Sequence, residues 1–284
     1  MNLISTVVKS LMLCALAAST SFAAQQVRVD ITNNAPTGGV ALTPLWVGFH
    51  DGSFDSYNGG LSSQEGLERI AEDGNTSVLS ADFLGGYTYV DGGVSTRTLS
   101  SQAGAERVDG TIGSAGPPPI EPGESASQTF TIEINGTNRY FSYASMVIPT
   151  NDFYVANGNP LAHDLASLYD GSGSVSFNIG LANTVNDAGT ETTSYLTSAA
   201  NGLFGLGGGQ SGPNEGADEN GVNTNVTGDP FAGFGIETPA AFNFNDASLY
   251  ANGIATVTIT AVPEPSSQLV CLMGLAGLAF FRRK

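Results

Sequence analysis

Basic residues are scarce in this chain of 284 residues. The only lysines, Lys9 and Lys284, lie close to the two ends, and lysine and arginine together number 9 against 26 acidic residues. Proteins bind nucleic acid largely through lysine and arginine side chains that neutralise phosphates. A strongly acidic surface repels phosphates and anionic lipid headgroups, whereas it favours solubility and attracts divalent cations. The composition therefore excludes nucleic acid as a partner.

Cysteine is almost absent, with only Cys14 and Cys271. Both lie in terminal segments that we expect to be removed, so the mature protein would have neither a disulfide nor a thiolate metal site. Histidine is equally rare, and neither His50 nor His163 belongs to a His-Glu-x-x-His motif. The chain also lacks a Gly-x-Ser-x-Gly nucleophile motif and a phosphate-binding glycine loop before a lysine.

Residues 1–24 have the layout of a secretory signal peptide. Lys9 precedes an apolar stretch from Leu11 to Ala18, and small residues follow as far as Ala24. This order predicts export and cleavage after Ala23 or Ala24. Because Cys14 follows a leucine instead of a small residue, we do not expect a lipoprotein signal.

The last 23 residues, 262–284, combine three features in one order. The hexapeptide Val262 to Ser267 (VPEPSS) precedes an apolar run from Leu269 to Phe281, and the chain ends in Arg-Arg-Lys. As an α-helix, this run of about 13 residues would extend roughly 20 Å, less than the hydrocarbon core of a bilayer at about 30 Å. The basic end would suit the cytoplasmic side of a membrane.

This order of features resembles the PEP-CTERM sorting tail. The resemblance implies that the protein is exported, held transiently in the inner membrane by a C-terminal hydrophobic helix, and then processed by an exosortase-type sorting enzyme. Its final location would be the cell envelope, the cell surface or the extracellular matrix. The alternative is an ordinary C-terminal anchor or a buried helix. Without both terminal segments, the chain keeps five arginines, no lysine and 25 acids, a net charge near −20.

Residues 25–261 are predicted to form one mainly β domain, an antiparallel β-sandwich. The 37 glycines and 13 prolines are typical of a turn-rich β protein. Val27 to Asn33 alternates apolar and polar residues, as in a half-buried strand, whereas Ala41 to Phe49 is largely apolar, as in a strand buried on both faces. Ser125 to Ile134 and Arg139 to Ile148 are predicted to pair as a hairpin around an Asn-Gly turn.

One short helix is predicted, from Ser62 to Asp73. Ser62 and Glu65 have the spacing of a capping box, and Gly74 stands where a left-handed C-cap is needed. The segment from Asn201 to Asp229 is rich in glycine and asparagine and is predicted to be a surface loop.

Two segments together resemble the spondin N-terminal domain. The first runs from Leu42 to Gly74 and includes LTPLWVGFHDG and GLERIAEDG, and the second, FSYASMVIPTNDFYV, runs from Phe141 to Val155. The resemblance would extend over residues 27–261. It implies a C2-like β-sandwich that is secreted or held at the cell surface and acts in adhesion or matrix binding without catalysis. It also implies a calcium ion at one edge of the sandwich.

The acids that match the family's calcium-binding positions are Glu133 and Asp152. Asn151 and Asn157 could add oxygen ligands, since calcium takes about six to eight oxygens from carboxylates, amides and backbone carbonyls. We expect the predicted hairpin to bring Glu133 alongside this segment, and we predict a calcium site formed by Glu133, Asp152, Asn151 and Asn157. The alternative is that Asp152 caps a turn and Glu133 is a solvated strand residue.

These features predict an exported, non-enzymatic protein that acts in adhesion or associates with exopolysaccharide or another surface ligand, with a contribution from calcium. The alternative is an envelope hydrolase acting on polysaccharide. A glycoside hydrolase needs a pair of carboxylates, and a chain with this many acids always offers candidate pairs, so their presence decides nothing. A Ser-His-Asp triad is a spatial arrangement that the sequence alone does not exclude. Trp46, the only tryptophan, lies within an apolar run, so we expect it in the core and not on a sugar-binding surface.

Overall fold

The structure is a computed structural model that describes residues 24–85, 88–91, 94–98, 107–113, 119–134, 136–197, 204–205, 212, 214–235 and 237–263. The predicted signal peptide, apart from Ala24, and the predicted hydrophobic helix within residues 269–281 lie outside these residues. Within the described ranges, no helix has the length and apolar character needed to cross a membrane.

Most of the regular structure consists of short strands. The strands are β1 (Gln25–Asn33), β2 (Ala41–Leu42), β3 (Leu45–His50), β4 (Thr88–Asp91), β5 (Val94–Thr98), β6 (Val108–Ile112), β7 (Ser125–Ile132), β8 (Tyr140–Ile148), β9 (Phe153–Ala156), β10 (Ser174–Ile179), β11 (Asn186–Asp187), β12 (Thr224–Asn225) and β13 (Ala255–Ala261). Two α-helices, α1 (Glu65–Asp73) and α2 (Ser77–Gly85), and two short 3-10 helices (Ala166–Leu168 and Ala240–Phe242) complete the described elements.

The strands form antiparallel sheets, which confirms the prediction of a mainly β, antiparallel protein. A four-stranded sheet has the order β10-β13-β1-β7, and a seven-stranded sheet has the order β12-β11-β9-β8-β3-β6 with β2 paired to β8. Strands β4 and β5 pair with each other in a separate ribbon. Every strand pair in these sheets is antiparallel.

The main core lies between the two larger sheets. The predicted alternation of β1 is confirmed, because Val27, Val29 and Ile31 are buried while the residues between them are not. Side chains from the facing sheets meet there: the Phe49 ring of β3 lies 5.2 Å from the Phe130 ring of β7. Apolar burial of this kind, at roughly 25 cal/mol per Å² of buried apolar surface, is the main source of the stability of the fold.

The helices cover the opposite face of the seven-stranded sheet. Strand β3 is therefore buried along its whole length, with one face on the main core and the other beneath the helices. Trp46 is fully buried and packs edge-to-face on Phe83 of α2 at 5.2 Å between ring centroids. Leu67 and Ile70 of α1 belong to the same cluster. The predictions of a strand buried on both faces and of a core position for Trp46 are confirmed.

The predicted helix is present as α1, but the prediction of one short helix is wrong, because the described part of the chain contains a second helix, α2. Helix α1 begins at Glu65 with Gln64 at the N-cap and without a side-chain cap hydrogen bond, so Ser62 does not occupy the N-cap position that the predicted capping box requires. The sequence pattern does not predict helix α2, because its apolar residues do not lie on one face of a helix. Leu79 and Phe83 are buried, whereas Leu84 is exposed. The Asn75 side chain accepts the N–H of Ser77 at 2.9 Å, a local start signal of the kind that asparagine often supplies.

The predicted left-handed cap at Gly74 is confirmed, and it makes a testable prediction. Gly74 has φ +69°, and a Cβ atom there would lie 2.6 Å from Cγ2 of Thr43. Gly74→Ala should lower the free energy of unfolding by roughly 1 kcal/mol for the left-handed backbone and by a further 1–2 kcal/mol for the overlap. Gly123→Ala is the control, since Gly123 has φ +84° and open space around it. Equal losses in urea unfolding for the two variants would contradict the packing part of this account.

The predicted hairpin between β7 and β8 is also wrong. Strand β7 pairs with β1 in the four-stranded sheet, whereas β8 pairs with β3, β2 and β9 in the other. Their burial explains the difference, because β7 leaves most alternate residues exposed while β8 is buried almost throughout. The chain crosses between the sheets at Asn138, whose side chain accepts the N–H of Glu133 at 2.9 Å and donates to the carbonyl of Phe49 at 3.1 Å.

Candidate metal centre

Three carboxylates from three separate segments converge at one edge of the seven-stranded sheet. They belong to Asp152, which follows β8, to Asp187 in β11, and to Glu219 in the segment before β12. One oxygen of each lies within 4.8 Å of the corresponding oxygens of the other two. Asp152 is buried, Asp187 is half-buried and Glu219 is exposed, so the group extends from the interior to the surface.

Backbone contacts fix Asp152 beside Asp187. Thr150 holds the bend after β8, because its hydroxyl accepts the N–H of Phe153 at 3.1 Å and donates to the carbonyl of Val147. The carbonyl of Asp152 then accepts the N–H of Ala188 at 3.0 Å. The backbone therefore positions the two aspartates independently of any attraction between their side chains.

Glu219 lies in the group because the loop after β11 and the loop before β12 are hydrogen-bonded to each other. Gly221 donates its N–H to the carbonyl of Gly189 at 2.6 Å, and Glu219 donates its N–H to the carbonyl of Thr190 at 2.9 Å. A Cβ atom on Gly189 would lie 2.6 Å from the backbone nitrogen of Val222, and the φ of Gly189 is +66°. Glycine is required here because the two backbones leave no space for a side chain.

The electrostatics of the group are unfavourable without a cation. Asp152 has no exposed surface, and no group is in good hydrogen-bonding geometry with either of its carboxylate oxygens, although the Asp187 side chain and the Glu191 backbone both act on it. Burial, together with the neighbouring Asp187 carboxylate, raises the pKa of Asp152 to about 9. Burial and the same carboxylate also raise the pKa of Glu219. None of the ion pairs among the described residues involves this group.

Of the four calcium ligands predicted from sequence, the structure places one in the carboxylate group and the other three outside it. Asp152 lies in the group, but Glu133 is exposed at the other end of β8, which spans roughly 27 Å. The expectation that a hairpin brings Glu133 alongside Asp152 is therefore contradicted. Asn157 accepts the N–H of Tyr143 at 2.9 Å and donates to Ser142 at 3.1 Å, so its amide is engaged at the edge of β8.

Asn151 supports the site from the adjacent position. Its amide group donates to a carboxylate oxygen of Glu191 at 2.9 Å and to the carbonyl of Thr192 at 3.0 Å, and its amide oxygen accepts the N–H of Ser194 at 2.8 Å. These bonds tie the segment that follows β11 to the bend that carries Asp152. Asn151 thus holds the frame of the group with its hydrogen bonds.

Sequence reasoning missed Asp187 and Glu219. Neither lies at a ligand spacing from Asp152, because the three residues meet only through the pairing of β9, β11 and β12. Most described residues of the predicted surface loop from Asn201 to Asp229 are exposed, but the segment also contains the short strand β12 and the buried Asn223. The one available signal was the concentration of acids in that loop.

His50 and Ser142 form a buried pair elsewhere in the seven-stranded sheet. Nδ1 of His50 accepts the N–H of Gly52 at 3.0 Å, so the ring proton is on Nε2, which donates to the hydroxyl oxygen of Ser142 at 2.8 Å. A catalytic histidine needs the reverse arrangement, in which Nε2 accepts the hydroxyl proton. Ser142 is also buried, so this pair is not arranged as a nucleophile and its base.

The buried His50 makes a prediction about pH. Burial, assisted by the charge of Arg107, lowers the pKa of His50 from 6.5 to about 4. The unfolded chain therefore takes up this proton first, and stability that is fully present above pH 6.5 is lost as the pH falls toward 4. Between pH 8 and pH 5, the difference in unfolding free energy between the wild type and His50→Gln should shrink by about 2 kcal/mol. A difference that does not change with pH in urea titrations would refute this assignment.

Comparison with known protein families finds a PEP-CTERM protein-sorting motif at residues 261–284. The predicted sorting tail is therefore confirmed. This motif is recognised by exosortase-type sorting machinery and marks a protein that is exported to the cell envelope. No curated protein matches the chain. The comparisons add no support for the resemblance to the spondin N-terminal domain, which stays an interpretation of two sequence segments.

Proposed function

We propose that this exosortase-sorted protein binds calcium through Asp152, Asp187 and Glu219 and associates with the exopolysaccharide matrix or another ligand at the cell surface, without catalysing a reaction. The observation that carries the proposal is the carboxylate of Asp152, fully buried, without a group in good hydrogen-bonding geometry, and adjacent to two further carboxylates. A C2-like, spondin-type sandwich is the fold that we associate with this function.

The chemistry of the group favours a hard divalent cation. Ionisation of the buried Asp152 carboxyl without a partner is strongly unfavourable, which is why its pKa is raised, and a bound cation takes the place of the proton and removes that cost. The group offers only oxygen atoms, which suit calcium or magnesium and not the metals that prefer histidine or cysteine. Calcium fits better, because it accepts irregular arrangements of oxygens, whereas magnesium demands a nearly ideal octahedron.

The exposed side of the group suits a role in adhesion. Calcium takes about six to eight oxygens, more than three carboxylates supply, so positions remain for water, backbone carbonyls or the oxygens of a partner. Glu219 lies at the surface and leaves that side open. A cation held there could join the acidic protein to hydroxyl or carboxylate groups of a polysaccharide.

The same geometry favours binding over hydrolysis. Asp152 has no exposed surface and so offers no contact to a glycosidic bond. The carboxylate oxygens of the group lie within 4.8 Å of one another. The carboxyl groups of glycoside hydrolases are farther apart, at about 5–9 Å, to accommodate the sugar or a water molecule. These observations support a non-enzymatic protein in preference to an envelope hydrolase.

Calorimetric titration of the purified protein with calcium tests the proposal. The wild type should bind about one calcium ion with a dissociation constant of roughly 0.1–1 mM, as extracellular calcium modules do. Glu219→Gln should weaken this binding, and Glu237→Gln, which alters an exposed glutamate outside the group, should leave it unchanged. Absence of binding heat in the wild type, or equal effects of the two variants, would disprove the metal site.

A further inference from the structure

A polar cleft lies next to the metal centre. Its volume is about 450 Å³, and it opens between the loop that carries Tyr57 and Asn58 and the strands β11 and β12. Asn186 and Asp187 are neighbours in β11, so their side chains point to opposite faces of the strand. Asn186 faces the cleft, whereas Asp187 belongs to the metal centre. The two sites therefore share a strand but not a surface.

The lining of the cleft carries no charge. It consists of asparagine, tyrosine, threonine and glycine residues, in a chain with a net charge of −17. A ligand with negative charge would meet repulsion from the surrounding acidic surface, and a ligand with positive charge would find no carboxylate in the cleft. The lining thus selects an uncharged ligand that forms many hydrogen bonds.

A chain of hydrogen bonds orients the polar groups. Nδ2 of Asn225 donates to Oδ1 of Asn186 at 3.0 Å, and Nδ2 of Asn186 donates to the hydroxyl oxygen of Tyr57 at 3.1 Å. The Tyr57 ring is held edge-to-face against Tyr154, with 5.4 Å between ring centroids. Because the buried Asn186 is fixed from both sides, the rim of the cleft is formed before any ligand arrives.

Several groups at the rim keep hydrogen-bonding capacity for a ligand. The hydroxyl of Tyr57 accepts one bond from Asn186, and the side chains of Asn58 and Thr224 form no hydrogen bond with other described residues. Amides and hydroxyls each provide both donors and acceptors. Neighbouring hydroxyl groups on a sugar ring present the same alternation of donors and acceptors.

We infer that this cleft binds an uncharged saccharide unit of a polysaccharide. Its volume falls within the range of small-molecule sites, about 300–1,000 Å³. The inference rests on the proposed association with exopolysaccharide and assigns that association to Tyr57, Asn186 and Asn225. The metal centre is separate from it and is tested separately.

Gly59 provides the sharpest variant. Gly59 lines the cleft, and a Cβ atom there meets nothing within 4 Å, so the fold accommodates a larger side chain at the rim. Gly59→Phe should therefore obstruct the cleft. Gly85→Phe is the matched control, because Gly85 also has open space but does not line the cleft. Tyr57→Phe removes only the hydroxyl and keeps the ring that packs on Tyr154.

The test is calorimetric titration of the purified protein with neutral tetrasaccharides of glucose, galactose, mannose and N-acetylglucosamine, and with the tetrasaccharide of galacturonic acid as the acidic probe. At least one neutral probe should bind saturably, and Gly59→Phe should weaken that binding by about tenfold or more. Tyr57→Phe should weaken it by a smaller factor, and Gly85→Phe should not change it. Lack of binding by every neutral probe, undiminished binding in Gly59→Phe, or stronger binding of the acidic probe would overturn the inference.

Each titration is performed in calcium and again in a chelator, which separates the two proposals. Calcium binding without saccharide binding would contradict the cleft alone. Saccharide binding that survives in a protein without calcium affinity would contradict the metal centre alone. Circular dichroism of each variant confirms that a loss of affinity reflects the cleft and not unfolding.

Discussion

Calcium at about 10 mM is expected to raise the free energy of unfolding by roughly 1.4–2.7 kcal/mol, and Asp152→Asn is expected to abolish this gain. The size follows from mass action, because a ligand present at about 10 to 100 times its dissociation constant stabilises the folded state by that amount. Asp152 provides the buried carboxylate of the group, and asparagine removes its charge at nearly constant volume. Urea unfolding with calcium and with a chelator measures the effect.

Glu133→Gln is the matched control for this experiment. Sequence reasoning predicts Glu133 as a ligand, whereas the structure places it in an exposed position at the far end of β8. Its substitution should therefore leave the calcium-dependent gain intact. Loss of the gain in Glu133→Gln as well as in Asp152→Asn would favour the ligand set predicted from sequence, which contains both residues, over the group seen in the structure.

Glu72→Gln is expected to stabilise the protein by roughly 2 kcal/mol at pH 8. Glu72 lies on α1 without exposed surface; one carboxylate oxygen accepts the N–H of Asn214 at 2.8 Å, and the other has no partner. Burial, with further contributions from the carboxylates of Glu191 and Glu68, raises the pKa of Glu72 from 4.5 to about 7. Glutamine keeps an oxygen for the N–H of Asn214 and removes the charge.

The sign of this effect depends on pH. The unfolded chain loses the Glu72 proton near pH 4.5, whereas the folded chain keeps it to about pH 7, so the glutamate destabilises the fold increasingly across that interval. The gain in Glu72→Gln should therefore disappear near pH 4.5. Glu65→Gln, an exposed position on the same helix, should change stability by less than about 0.5 kcal/mol at any pH. A gain in Glu72→Gln that persists at pH 4.5 would show that packing, and not charge, causes it.

Local sequence signals predicted local structure well. The alternation of β1, the left-handed cap at Gly74 and the burial of Trp46 each depend on residues close in the chain. The sorting tail is likewise a linear motif, which the family comparison finds at residues 261–284. In each case the physical cause acts within a few residues, so the sequence alone is sufficient.

Long-range pairing could not be predicted in the same way. An Asn-Gly turn between two strand-like segments favours a hairpin, but the buried surface available to β8 between β3 and β9 outweighs that local preference. The error had consequences for the site, because it assigned Glu133 to the neighbourhood of Asp152. Asp187 and Glu219 were missed for the same reason, since only strand pairing brings them together.

A crystal structure of the protein grown with calcium tests the central claim most directly. The account predicts one ion at about 2.3–2.6 Å from oxygens of Asp152, Asp187 and Glu219, with water or backbone oxygens in its remaining positions. Clear density for all three side chains without an ion between them, at a calcium concentration of about 10 mM, would contradict it. An ion bound instead by Glu133 would contradict it equally.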